Sequence, residues 1–449
     1  MSRNHQELNR RRLIQSSAAT AAIAGAGITA RTTQASSGAP STGRSMAAAQ
    51  DVTSVSALMW SNGPVIDGHF DDRVAAFNEA HAGEIEVTLE FLPYDQYWQK
   101  LQLAYASGGD LYDVYFWDVQ AYGHYKRDLI LNLQPMIDAA GALDPAEYPV
   151  ELFEPWKLDG ENLYAMPENF QTFALYYNKD LFDAEGLEYP TDQWTYDQAI
   201  EAATALTKRD GDRVNQWGMN LGNLAIWWGL QTVSWAKGDS FFDNQLEPTK
   251  FQFSNPTNVE TLDFARSLVN DHQVAPKPSV AEQDSDITGF ASGRVGFVID
   301  GSWSISGFAE LPFNWGIAPS PLVDGNRVVP YWIGGWVIAK ESEVAEAAFE
   351  WARWSGNEYQ EQMAAEHDWI PVKTSVRDSD VTVEGMPEGY RAVIDALADA
   401  RIGDVYSENT QQIWVEVFEP GLTSLLEENR DAAEVAAEMD EKANELLGG

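Results

Sequence analysis

The chain has 449 residues, no cysteine, and 29 Lys+Arg against 69 Asp+Glu, a formal charge of −40. The lack of thiols excludes a disulfide framework, a thiolate-bound zinc or iron–sulfur centre, a cysteine nucleophile and a lipid-modified cysteine anchor. A field of this sign repels phosphate backbones, which argues against nucleic acid as a partner. With 44% apolar residues the composition is globular, and the length exceeds the roughly 250–300 residues at which one core usually divides, so two lobes are expected.

Residues 1–50 read as an export segment. Arg10-Arg11-Arg12-Leu13-Ile14 precedes an uncharged Ala- and Gly-rich stretch, Ser16 to Ala30, in the layout of a twin-arginine signal. About 15 residues is too short for a membrane-spanning helix, and residues 31–50 read as a flexible spacer. The remainder carries 23 basic and 68 acidic groups, a balance of −45. Self-repulsion of that size is relieved when molar salt shortens the Debye length to about 3 Å, so an exported, halophilic protein is expected.

Strand and helix then alternate. Val55 to Trp60 reads as a strand, Asp67 to Ala82 as a helix, Ile85 to Leu92 as a strand, Tyr94 to Ala106 as a helix and Asp113 to Trp117 as a buried strand. The second half continues with helices at Thr195 to Lys208, Pro256 to Asp271 and Glu343 to Trp354, and strands at Gln216 to Asn220, Val295 to Asp300 and Trp332 to Ala339. The acidic tail from about Gln411 is helical, with Leu425, Leu426, Val435 and Met439 on one side. This order predicts α/β layers with a largely parallel sheet. After the export segment no stretch is long and apolar enough for a membrane helix.

Motif chemistry is sparse. Six His lie scattered without helical metal-ligand spacing, so no metal site or cofactor is expected, and phosphate-loop and dinucleotide glycine motifs are missing. Gly301-Ser302-Trp303-Ser304 lacks the frame of a serine nucleophile. Asp284-Ser285-Asp286 begins like a calcium loop but has Val295 where the twelfth position needs an acid. Paired carboxylates for glycoside hydrolysis have no local signature. What the chain offers is aromatic: 17 Trp, 17 Tyr and 19 Phe. Many stand near amides or carboxylates, including Trp60 near Asn62, Trp117 beside Asp118, Trp227-Trp228, Trp303 after Asp300, Trp332 and Trp336 around Gly334-Gly335, and Trp369 before Pro371. Flat rings suit the C–H faces of sugars, and amides or carboxylates suit their hydroxyls.

Leu163-Tyr164-Ala165-Met166-Pro167 and Ala174-Leu175-Tyr176-Tyr177-Asn178-Lys179-Asp180-Leu181-Phe182 resemble the hinge-side segment of extracellular solute-binding proteins of the maltose-binding class. Asp113 to Asp118, Phe290 to Trp303 and Tyr331 to Ile338 resemble further segments of that family, in order. The resemblance implies a type II periplasmic-binding-protein-like α/β fold. Two lobes would be joined by three crossings near Phe170, Gly334 and Trp369. Residues 52–170 plus 336–368 would form the first lobe, and 171–335 plus 369–449 the second.

It further implies a receptor of an ABC importer that binds a sugar between the lobes and presents it to permease subunits, as a monomer and without catalysis. Asn62, Asp118, Asn169 and Gln171 would be polar cleft groups, and Trp228, Trp303 and Trp336 stacking platforms. Asp300, Gly335 and Trp369 complete the expected set. Asp113 is expected to be structural, and Asp118 has a competing role as a helix cap. Two alternatives stay open: a carbohydrate-active hydrolase, and the same fold holding a non-sugar ligand such as a polyamine, for which aromatic and carboxylate groups are also suited.

Overall fold

A computed structural model describes residues 52–107 and 112–448; the expected export signal and spacer lie outside the described residues. Eleven strands share one sheet: β1 (Thr53–Trp60), β2 (Ile85–Leu92), β3 (Val114–Phe116), β4 (Met166–Asn178), β5 (Lys208–Asp210), β6 (Arg213–Asn220), β7 (Val295–Gly301), β8 (Trp315–Pro319), β9 (Val329–Ile338), β10 (Ile370–Pro371) and β11 (Ala400–Ile402). The path runs β2-β1-β3-β9-β4-β7-β6-β5, with β8 and β10 on β4 and β11 on β9. Helices pack along this sheet, giving the α/β architecture that the resemblance implies.

The largely parallel sheet expected from the sequence is corrected to a mixed one. β1 lies parallel to β2 and β3, β6 to β7, and β11 to β9. The centre is antiparallel, β9 against β3 and β4, and β4 against β7 and β8. Alternating βα units explain the parallel pairs on the flanks, while the edge strand β5 turns back antiparallel on β6. The middle differs because β4 and β9 pass through the sheet in opposite directions and pair with each other from Met166–Trp336 to Thr172–Tyr331.

Helix signals sit where the sequence puts them. Helix α1 (Pro64–Ala80) starts at Gly63, whose φ of 98° favours glycine, with Pro64 supplying the preset φ of a first turn. It buries Ile66, Phe70, Arg73 and Phe77, one helical stripe. Thr195 and Gln198 close a reciprocal capping box on the Tyr196–Leu206 helix. In the acidic tail the expected apolar side is buried: Leu425, Leu426, Val435 and Met439.

A bulge falls between Pro167 and Asn169 in β4. Such a bulge re-aims a side chain, and here it carries Glu168 into the core. Its carboxylate accepts from Arg73 Nη1 at 2.8 Å, from Trp336 Nε1 at 2.5 Å and from Ser355 Oγ. This buried ion pair ties α1, β4, β9 and the Ala345–Asn357 helix together. None of the helices among the described residues is long and apolar enough to cross a membrane.

Candidate functional site

Several strands end in the same neighbourhood, each followed within a few residues by a polar or aromatic side chain. Trp60 closes β1 and Asn62 follows it; Asp118 lies two residues past β3, Trp303 two past β7 and Asp404 two past β11. Carboxyl ends of strands are where open α/β sheets take ligands. Asn223 and Trp228 stand after β6, on the turn and helix that follow it.

The indoles of one group touch. Trp332 makes edge contacts with Trp228 and Trp303, both at 5.6 Å between ring centroids, and a tilted one with Phe173 at 4.9 Å. Trp228 stacks on Trp414 at 5.7 Å with the planes 22° apart. On the β1 side, Trp60 meets Tyr94, Tyr97 and Phe116 edge-on at 5.6, 5.4 and 5.1 Å. Trp60, Trp228, Trp303, Trp332 and Trp414 are all half-buried, so part of each ring remains open to solvent. The mutual edge contacts fix ring orientation before any ligand arrives.

Charge enters through Asp404 and Asp118. Asp404 is buried and accepts from Trp332 Nε1 at 3.0 Å. Burial, then the neighbouring Asp118 carboxylate, push its carboxyl well above the usual range, while the Trp332 hydrogen bond opposes them. Asp118 is half-buried and accepts from the Tyr94 hydroxyl. Asp300 is also held up by burial, and it accepts from Asn223 Nδ2 at 2.6 Å, its neighbour Gly301 N at 2.7 Å and Ser304 Oγ at 3.0 Å. Asn62 takes the Trp60 Nε1 hydrogen at 3.3 Å, and its own amide N–H is held at 2.9 Å by Asp67 of α1.

Trp414 is placed by local backbone chemistry. Residues Trp414–Phe418 form a π-turn inside the tail helix. Pro420 cannot donate to the carbonyl four residues back and its ring would clash there. That carbonyl, of Glu416, accepts Lys442 Nζ at 2.7 Å instead. The widened turn leaves Trp414 free to lie on Trp228, with its Nε1 donating to Glu419 at 2.6 Å. Such bulges recur at functional sites.

Residues 63–360 match the family model described as bacterial extracellular solute-binding protein. The chain belongs to that family. Among named relatives of this solute-binding protein, the maltodextrin-binding protein MdxE of Bacillus subtilis (strain 168) is 27% identical over 207 residues, 45% of this chain and 47% of the relative. The galactooligosaccharide-binding protein of the same organism is 22% identical over 312 residues, 67% of this chain and 68% of the relative. The alignment thus spans about half of the first relative's length and two thirds of the second's.

Two solved structures share the fold. The ABC substrate-binding protein Lmo0181 from Listeria monocytogenes, in complex with cycloalternan, has a TM-score of 0.77 at 23% identity, covering 89% of this chain and all of that one. The cyclic α-maltosyl-1,6-maltose binding protein from Arthrobacter globiformis gives 0.71 at 20% identity, covering 88% of this chain and 99% of that one.

The expected site residues of this solute-binding protein divide. Asn62, Asp118, Trp228, Asp300 and Trp303 stand at the strand ends, and Gln171 sits half-buried in register with Trp332. Three others are corrected. Trp336 is 0% exposed, bound to Glu168 and packed against Phe70, Phe116 and Trp351. It lies on the same side of β9 as Trp332, but α1 and the Ala345–Asn357 helix cover that end of the strand. Trp369 is 1% exposed and packs on Phe70 and Phe116. Gly335 is buried where a Cβ would lie 2.2 Å from the Met166 carbonyl, so close backbone packing accounts for it. Asn169 is wholly buried in β4, its Oδ1 accepting from Gln171 Nε2 at 3.4 Å. Asp113 is engaged by Ser56 and Ser342.

Trp414, Asp404 and Tyr94 were not singled out from sequence, and Trp332 and Trp60 were named only as aromatics. No motif in the sequence marks Asp404; the structure shows what its neighbour does. Gly403 before it is a position where a Cβ would fall 2.5 Å from the Trp332 indole.

Proposed function

We propose that this chain is the exported substrate-binding receptor of an ABC importer, taking a sugar or oligosaccharide between two hinged lobes and releasing it unaltered to permease subunits. The observation that carries this reading is the set of half-buried indoles at converging strand ends, ringed by Asp118, Asp404, Asn223 and Asn62. Indole faces accept the C–H faces of pyranose rings, while carboxylates and amides accept and donate to hydroxyls in the ring plane. The relatives' names point the same way, since they speak of maltodextrin and galactooligosaccharide.

The lobes are taken as residues 52–170 plus 336–368 and residues 171–335 plus 369–449, joined where β4, β9 and β10 pair around Phe170 and Gly334. A sugar touching both lobes favours the closed form by the difference between its affinities for closed and open states, and only that difference drives closure. On that division an ion pair crosses between the lobes. Lys126 Nζ lies 2.6 Å from Glu247, whose carboxylate also accepts from the Tyr122 hydroxyl at 2.5 Å. Export by a twin-arginine route and work in high salt belong to the same reading, supported by the arginine run and the charge of −40.

A thermal-shift screen of mono- and oligosaccharides in molar salt, followed by calorimetry, tests it. A saturable sugar-dependent rise in melting temperature without product release is expected. Turnover of the sugar would favour a hydrolase. A second reading is favoured by the Asp118–Asp404 pair among aromatic rings, which suits a cationic amine; polyamines and amino sugars in the same screen separate the two.

A further inference from the structure

Away from the indoles, three potential metal ligands that the sequence scatters come together. His69 stands on α1, Glu366 ends the Gln360–Glu366 helix, and Asp368 follows it just before the β10 crossing. One ligand atom from each lies within 4.8 Å of the other two. His69 Nδ1 is 2.9 and 2.8 Å from the two oxygens of Asp368. We propose that His69, Glu366 and Asp368 form a divalent transition-metal site, with zinc as the fitting ion, that staples α1 to the segment entering the third crossing.

The hydrogen bonding of the cluster supports a cation. Asp368 is 0% exposed, and both its oxygens turn to the same imidazole nitrogen. A carboxylate has about four acceptor sites, and burying it with so little donation is costly. Glu366 spends Oε1 on the Tyr359 hydroxyl and Gln362 Nε2, at 3.0 and 2.8 Å, while its buried Oε2 has no hydrogen-bond partner. A guanidinium stands nearby: Arg73 lends its charge to Asp368 without a hydrogen bond to it, and its Nε and Nη2 have no hydrogen-bond partner. Arg73 gives Nη1 to Glu168 and Ser355 and lies over the rings of Phe70 and Tyr359. Three carboxylates therefore share one arginine and one imidazole.

The donor set selects the ion. One imidazole nitrogen and two carboxylate oxygens suit zinc and its neighbours, whereas calcium and magnesium favour all-oxygen shells. Ligand atoms about 2.0–2.1 Å from a tetrahedral ion lie roughly 3.3 Å apart. Separations of 2.8 to at most 4.8 Å reach that by small side-chain shifts. Access exists as well: His69 keeps 29% of its side chain exposed, and a surface cavity of about 700 Å³ is lined by Val65, Glu366 and His367. Three protein ligands leave a fourth position for water.

The test uses the whole exported chain, stripped with chelator and held in molar NaCl to mask weak binding to surface carboxylates. Zinc chloride is titrated by calorimetry, and melting is followed with and without it. Saturable uptake of one zinc per chain with a raised melting temperature is expected. His69→Gln keeps a donor for Asp368 and should fold, as circular dichroism would verify. It should weaken uptake by more than about tenfold, the least that loss of even an outer-shell partner usually costs. Glu366→Gln should also weaken it, with sugar binding intact in both variants. No saturable uptake by the unaltered chain, uptake unchanged in folded His69→Gln, or displacement of zinc by equal calcium would each overturn the proposal.

Discussion

Replacing Trp336 tests whether this indole holds the fold or faces the ligand, and the structure sets the size of the effect. The ring is wholly buried. A tryptophan buries about 150–250 Å², which at about 25 cal/mol per Å² corresponds to roughly 4–6 kcal/mol. Trp→Ala substitutions in cores cost about 3–5 kcal/mol. The indole N–H also donates to the Glu168 carboxylate, and hydrogen bonds to charged groups contribute about 1.5–3 kcal/mol. Against a total stability of about 5–15 kcal/mol, Trp336→Ala should leave the chain close to unfolding. Trp336→Phe retains an aromatic ring while removing the donor, so its expected loss is about 2–3 kcal/mol, chiefly the hydrogen bond. Urea unfolding in molar salt, compared between Trp336→Phe and the unaltered chain, measures this directly. A midpoint that does not move, together with a large loss of sugar affinity, would refute the burial argument and return Trp336 to the ligand.

Trp303→Ala should behave in the opposite way, weakening sugar binding by about 1–3 kcal/mol, as loss of an aromatic anchor does, with the urea midpoint nearly unchanged; calorimetry and unfolding together decide it. Asp404→Asn should keep the Trp332 hydrogen bond while removing a carboxyl whose folded pKa is raised. That carboxyl's contribution is full below the ordinary carboxylate range and is lost as pH rises through its folded value, so the variant should gain on the unaltered chain as pH rises. Equal pH profiles would count against it. His124, buried against Tyr115 and Tyr105, has its pKa lowered from 6.5 to about 4 by burial and then by Arg127. Its contribution is present above pH 6.5 and is lost as pH falls toward about 4, about 3 kcal/mol in all. His124→Phe should flatten that part of the acid-unfolding curve, and a slope unchanged between those pH values would sink the idea.

Element type was legible because periodicity is local. Ile85 to Leu92 is read to the residue, and α1 begins three residues before the expected Asp67, at Pro64 after Gly63, and ends two before the expected Ala82. Strand direction was not legible, since β4 meets β9 across more than 150 residues and nothing in either segment says which way the partner runs. The candidate site was half legible. Asn62, Asp118 and Trp303 follow strands, a position the order of elements reveals. Trp336 and Trp332 sit four apart in one strand with the same surroundings in sequence, and only the helices packed over one end separate core from cleft. Trp414 was hidden by its acidic neighbours, and His69 and Asp368 are 299 positions apart.

β4 and β9 run unbroken through the region where the lobes join, thirteen and ten residues long, with their ladder in register apart from one bulge. A pair of strands in this register resists sliding, because shifting by one position would turn every side chain to the other face. It yields far more readily to twist and bend. On the reading proposed above, motion of the lobes would thereby be confined to rotation, as in a leaf spring, and the strip that flexes carries Trp332, so a ring proposed to meet the ligand would move with it.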